Sequence, residues 1–274
     1  VDTSFLLDHT PKTNPSHVYR GFDLDIFSFH LVHCIPLSVA RILSRFKKRK
    51  INQWMFRRAL RGHLHIKEKR IGLDYELLDK LPSECLLDGY WQSPHYFEPI
   101  ADELRDRIFQ FRYSMSAEAQ KLKAAIQSES SICLNVRRTD FLTNQFHGAL
   151  SKDYFDSAVK KMGESISKPK IYVFSDDIPW CRENLQFPYE TVVVDHRFKG
   201  YKFASYLELM SACRHFIIPN STFAWWAAWM GRHTDKRVIA PKRWFNPTSE
   251  ADFYGSSDFD REGRDLIPGS WERL

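Results

Sequence analysis

The sequence predicts an α/β protein whose second half is a parallel sheet covered on both faces by helices. Two observations predict it. From residue 132 onward, short apolar runs alternate with amphipathic segments at strand–helix spacing. Three of those runs then break directly into polar residues, and in a parallel sheet such ends lie along one edge, where ligands bind.

The first half is less regular. Val1 to Leu7 reads as a strand and Pro11 to Ser16 as a turn-rich loop. Asp23-Leu24-Asp25 matches a metal-chelating Asp-x-Asp, a triplet that chance also produces. Residues 36–62 read as amphipathic helix, with Val39, Ile42, Leu43 and Phe46 in one stripe and a basic block from Lys47 to Lys50. A further helix carries Trp54, Met55 and Leu60 beside Arg57, Arg58 and Arg61. This basic face is either a solvated surface or a contact for an anionic membrane leaflet through residues 41–70. His63-Leu64-His65 has the alternation of a strand metal pair but no evident third ligand. Leu86 to Trp91 is expected as a strand. Phe97 to Phe111 is expected as a helix with Ile100, Leu104, Ile108 and Phe111 on one face, and Ser116 to Ile126 as another. Gln127 to Ser131 reads as a hinge.

After the hinge, strands are expected at Ile132–Val136, Lys170–Phe174, Glu190–Val194, His215–Pro219 and Arg237–Ala240. Helices are expected at Lys152–Lys161, Ile178–Asn184, Tyr206–Ala212 and Thr222–Met230. Neither a dinucleotide glycine fingerprint nor a P-loop is present.

Composition is that of a soluble globular chain of 274 residues, with 15% aromatics and a formal charge of +6. A basic balance suits an anionic partner without choosing among nucleotide, nucleic acid and membrane. The basic block lacks interleaved aromatics, so nucleic acid is not expected. Five scattered cysteines with no Cys-x-x-Cys read as reduced thiols of a cytoplasmic protein.

The chemistry converges on the three strand ends. Arg137-Arg138-Thr139-Asp140 follows the first. Two guanidiniums suit phosphate oxygens, although both could simply pair with carboxylates. Successive strand side chains point to opposite faces, so one arginine at most faces a ligand and the other braces the loop. Ser175-Asp176-Asp177 follows the second end, offering acceptors for ribose or base, or helix caps. Asn220-Ser221-Thr222 follows the third, where a helix start can hold phosphate. It also fits a glycosylation acceptor, which a strand-to-helix turn argues against.

Four stretches, Leu87 to Ser93, Asn135 to Phe141, Tyr172 to Asp177 and Asn220 to Trp226, resemble in order the motifs of the bacterial α-1,2-fucosyltransferases, glycosyltransferase family 11. Asp265-Leu266-Ile267-Pro268 and Trp271 fit too. The resemblance implies a GT-B arrangement of two Rossmann-like α/β domains facing across a cleft. It implies GDP-L-fucose as donor, a galactose-containing glycan or lipid-linked acceptor, inversion, and no metal or other cofactor. The domains are then 1–129 on the acceptor side, 130–245 for the donor, and a tail, 246–274, packing back toward the first. The first domain lacks the family's Gly-rich strand and loop. Asn135 stands where histidine is frequent, and Thr139 where glycine is usual, as in the related α-1,6 enzymes. A donor-contacting aspartate is common near Tyr206, where the nearest carboxylate here is Glu208. By the same resemblance Arg137 receives the leaving diphosphate, with Arg138 as second choice. Asp140 is the candidate base and His147 the alternative. Asn135, Arg138, His147, Ser175, Asp176, Asp177, Ser221, Thr222 and Phe223 bind substrate. Trp225, Trp226 and Trp229 read as core. A non-catalytic nucleotide- or glycan-binding fragment remains an alternative.

Overall fold

The computed structural model describes residues 23–29, 64–68, 72–78, 80–81, 85–144, 146–246 and 263–274. The expectations for Val1 to Leu7, the basic helices of 36–62 and His63 lie outside the described residues. The chain forms two compact units, one of Val1–Glu68, Asp74–Tyr90 and Asp102–Arg112, the other of Lys69–Leu73, Trp91–Ala101 and Tyr113–Leu274.

In the first unit β1 (Leu64–Lys67) pairs in parallel with β2 (Cys85–Asp88). The strand expected to reach Trp91 stops at Asp88. Glu68, buried to 3% exposure, ends it: its carboxylate accepts from the Tyr90 N–H at 2.7 Å and turns the chain away. A β-carbon on Gly89 would lie 2.3 Å from Glu68 Cβ, so this turn needs glycine. Asp23–Ile26 is a 3₁₀ turn, and Phe27 packs 5.0 Å from Phe109 and 5.2 Å from Phe111.

The single helix expected over 97–111 does not form. Glu98–Ile100 is a 3₁₀ turn with Pro99 in its first turn, Ala101–Glu103 is α, and Leu104–Ile108 is wound as a π-helix. A proline in the first turn is tolerated, because its missing N–H has no partner there; the ladder departs from α downstream, where the Phe109 N–H donates to the Leu104 carbonyl at 2.8 Å. Phe111 leaves the helix altogether to bridge Phe27, and Ile100 is exposed rather than facing a core. Apolar spacing alone could not register that aromatic pull.

In the second unit α1 (Ala117–Ser128) begins at a true cap, the Ser116 hydroxyl accepting from Ala119 N–H at 3.2 Å. The sheet then runs through β3 (Ser131–Val136), β4 (Lys170–Ser175), β5 (Glu190–Val193), β6 (His215–Ile217), β7 (Val238–Ala240) and β8 (Glu272–Arg273). All pairings are parallel and the order is β5-β4-β3-β6-β7-β8. In chain sequence this is 3-2-1-4-5-6, the doubly wound order, whose switch point falls between β3 and β6. Strand β8 has no counterpart in the sequence reading. Two residues carry too little pattern, and only pairing with β7 defines them.

The crossovers are α2 (Lys152–Gly163), α3 (Ile178–Asn184), α4 (Ala204–Ser211) and α5 (Thr222–Met230). Every residue of β3 is buried, as expected of a strand covered on both faces. Ile132, Leu134 and Val136 pack with Phe155, Val159 and Met162 of α2. Trp225 and Trp229 are core as expected, with Phe97 5.3 Å from Trp229 and Trp271 5.5 Å from Trp225, whereas Trp226 is only half-buried, its ring stacked on that of Phe97 at 5.5 Å. The tail is tied by Trp225 Nε1, which donates to the Leu266 carbonyl at 2.9 Å, and by Asp265, which accepts from Leu73 N–H. The four described cysteines are free thiols. Among the described residues no helix is long and apolar enough to cross a membrane.

Candidate active site

The carboxyl ends of β3, β4 and β6 carry the three polar turns, brought side by side by strand order. At the end of β3, the backbone N–H of Arg138 donates to Asp176 at 2.9 Å, and the Thr139 hydroxyl donates to the same carboxylate. Arg137 completes the set, one terminal nitrogen 2.9 Å from Asp176 and the other 2.5 Å from Asp140. Asp176 therefore shapes the whole turn from the neighbouring strand. That explains a position without glycine: Thr139 contributes its hydroxyl to the brace.

Arg138 turns the other way. Its Nε pairs with Asp177 at 3.2 Å and its guanidinium lies 3.9 Å from the Trp180 ring centroid. Asp177 also caps α3, accepting from Trp180 N–H at 3.2 Å. The Ser175 hydroxyl in turn accepts from Asp177 N–H at 2.9 Å. The cap weighed for this acidic pair is made by Asp177. Arg138 braces, with its side chain 16% exposed, while Arg137 keeps 28%. Two guanidiniums face three carboxylates in this network, so with every group ionised its charge is −1.

Asn135 is buried, its amide donating to the Phe174 carbonyl at 3.1 Å. His147 stacks on Phe141, centroids 5.0 Å apart and planes within 8°, with Phe146 and Phe245 around it. Burial lowers its pKa, opposed by the charge of Asp140. Its loop is held by Asn220, whose amide donates to the His147 carbonyl at 2.8 Å and to Trp244 O at 3.1 Å. Asn220 is 2% exposed and so engaged that a glycan could not be attached. Ser221 precedes α5 and its hydroxyl caps nothing, which leaves the first N–H groups of Thr222 and Phe223 outside the helix ladder. Glu208 pairs with Lys123 of α1 at 2.7 Å. Among the described residues no three metal-ligating side chains come together, Asp23 and Asp25 included.

Sequence reasoning missed Trp180 as the platform under Arg138. Its position three residues after the Asp177 cap was the available signal.

An α/β protein with paired arginines and a helix start at the switch point of a doubly wound sheet is the class these elements define. The chain belongs to glycosyl transferase family 11, whose model matches residues 32–257. It is similar to the O-antigen biosynthesis glycosyltransferase WbnK of Escherichia coli, 35% identical over 127 residues, which are 45% of this chain and 42% of that protein. Alpha-1,2-colitosyltransferase of Escherichia coli is 29% identical over 161 residues, 57% of this chain and 55% of the relative. Galactoside 2-alpha-L-fucosyltransferase SEC1 of Bos taurus is 25% identical over 160 residues, 55% of this chain and 43% of its own length. The chain thus spans about half the length of the curated relatives it matches. Among solved structures, POFUT1 with GDP is 16% identical over 60% of this chain and 57% of that one. Its TM-score of 0.38 is too low to define the fold.

Proposed function

We propose that the chain is the catalytic part of a metal-independent, inverting α-1,2-fucosyltransferase of GT-B type. It transfers L-fucose from GDP-L-fucose to the 2-hydroxyl of a galactoside, in O-antigen or related surface polysaccharide synthesis. The observation that carries this reading is Arg137, the more exposed guanidinium, at the end of β3 beside the strand that leads into the uncapped start of α5. A guanidinium and free helix N–H groups are the two donors that a departing diphosphate requires. Family membership and the relatives' names support the donor and acceptor classes.

The reaction breaks the bond from the fucose anomeric carbon to the diphosphate oxygen, whose electron pair leaves with GDP. The acceptor oxygen bonds to that carbon from the opposite face, and its proton passes to Asp140. Arg137 and the α5 start stabilise the charge that builds on the leaving group. Arg138, Asp176 and Asp177 hold the turn that aims Arg137. Asn135 and Phe223 line the same edge, and His147, kept neutral by burial, is the alternative base.

The test is Arg137→Ala on the full chain. Transfer is expected to fall at least about 100-fold, as when one preorganised electrostatic donor is removed, with weaker GDP binding by calorimetry. Unchanged turnover and GDP affinity would remove the basis of the assignment. Wild-type titrations with GDP-fucose, GDP-mannose, UDP-galactose and a nucleotide-linked colitose test the donor. GDP binding without any transfer would make the chain a non-catalytic binder.

A further inference from the structure

A nucleoside attached to a diphosphate at the switch point must run along the carboxyl edge in one of two directions. Toward β7 and β8 the aromatic residues of the edge, Trp244 and Phe245, are 1% and 3% exposed and present no open ring face. Toward β4 and β5 the segment after β5 holds Tyr201 at 48% and Phe203 at 40% exposure. The Tyr113 ring lies 4.8 Å from that of Tyr201.

This segment is held in a costly conformation. Lys202 and Phe203 have φ of 46° and 63°, the left-handed region that residues with a β-carbon avoid. Gly200 precedes them at φ 66°, where a β-carbon would lie 2.3 Å from Ser205 Oγ. The surroundings enforce the shape. His196 Nε2 donates to the Ser175 carbonyl at 2.7 Å, fastening the segment to the end of β4 beside the arginine network. Tyr206 N–H donates to the Lys199 carbonyl at 3.3 Å, and Phe203 sits edge-on to both His196 and Tyr206 at 5.9 Å. Lys199 Nζ lies 5.7 Å from the Phe203 centroid, and Lys202 Nζ 5.3 Å from that of Tyr201. Cations beside exposed rings match a flat base carrying phosphates.

We propose that Phe203, flanked by Tyr201, is the stacking surface for the nucleoside base of the donor. The assignment rests on the nucleotide-sugar reading above. The test is calorimetry on the full chain with GDP and with inorganic pyrophosphate, comparing wild type, Phe203→Ala and Phe203→Trp, with melting curves to verify folding. Acceptor KM is measured alongside. The expected result is GDP binding weakened about 5- to 150-fold in Phe203→Ala, the span of a base–aromatic stack, with pyrophosphate unaffected and Phe203→Trp restored. Wild-type GDP affinity in Phe203→Ala overturns the proposal. So does equal loss of GDP and pyrophosphate, which means a collapsed site, or a change confined to acceptor KM. Failure of the nucleotide-sugar reading has another signature: the wild type binds neither GDP nor pyrophosphate, and the stacking role falls with it.

Discussion

Arg137 is held between two carboxylates, Asp140 and Asp176. A diphosphate must therefore compete for a guanidinium that is already paired. Asp176 is fixed by three donors, whereas Asp140, its side chain 37% exposed, meets Arg137 alone among the ion pairs of this turn and is the partner that can yield. Asp140→Asn should then bind GDP tighter, by about threefold to tenfold, because a charge competing with the ligand is gone. The same variant should turn over far more slowly if the released carboxylate takes the acceptor proton. Weaker GDP binding in Asp140→Asn would mean that Asp140 orients Arg137 rather than masking it. A variant with wild-type turnover would hand the base role to His147.

At the scale of elements, the site depends on α5, whose far end is firmly fixed. Gly231 closes the helix, and a β-carbon there would lie 2.6 Å from the ring of Phe216, which is wholly buried in β6. The Lys236 ammonium donates to the carbonyls of Ala228 and Gly231, each at 2.7 Å, completing the helix end. Gly231→Ala should cost about 1–3 kcal/mol by overpacking against a ring that has nowhere to go. Urea unfolding measures it, and a variant as stable as wild type would show that the helix end can shift. The broken helix of 97–111 makes the converse point. Its apolar spacing was helical, but the π turn at Leu104–Ile108 and the pairing of Phe27 with Phe111 end it early.

For the whole molecule, two histidines, His215 buried and His147 half-buried, tie stability to pH. Burial lowers the pKa of His147, opposed by Asp140. Burial likewise lowers that of His215, opposed by Asp235 and reinforced by Arg214, Arg237 and His233. The unfolded chain binds these protons more readily, near the ordinary value of 6.5. Their neutral forms therefore contribute stability that is complete above pH 6.5 and lost as pH falls through the lowered folded values. Urea midpoints should drop between about pH 7.5 and about pH 5. His215→Gln, which keeps an acceptor for the Arg237 N–H, should flatten that slope. An unchanged slope would remove His215 from the account.

Alternation of apolar runs and amphipathic segments was enough by itself to define the parallel sheet. Helix boundaries such as Ile178–Asn184 and Thr222–Met230 were legible because a cap or a strand end marks each start. Ordered motifs likewise carried the family. Those signals are local, a few residues of pattern and turn chemistry. Only the tertiary structure decided that β8 completes the sheet, that Glu68 ends β2, that Asp176 binds the arginine turn and that Arg138 rests on Trp180. Each of these depends on groups brought together across a fold by pairing and burial, and sequence spacing carries no record of such distances.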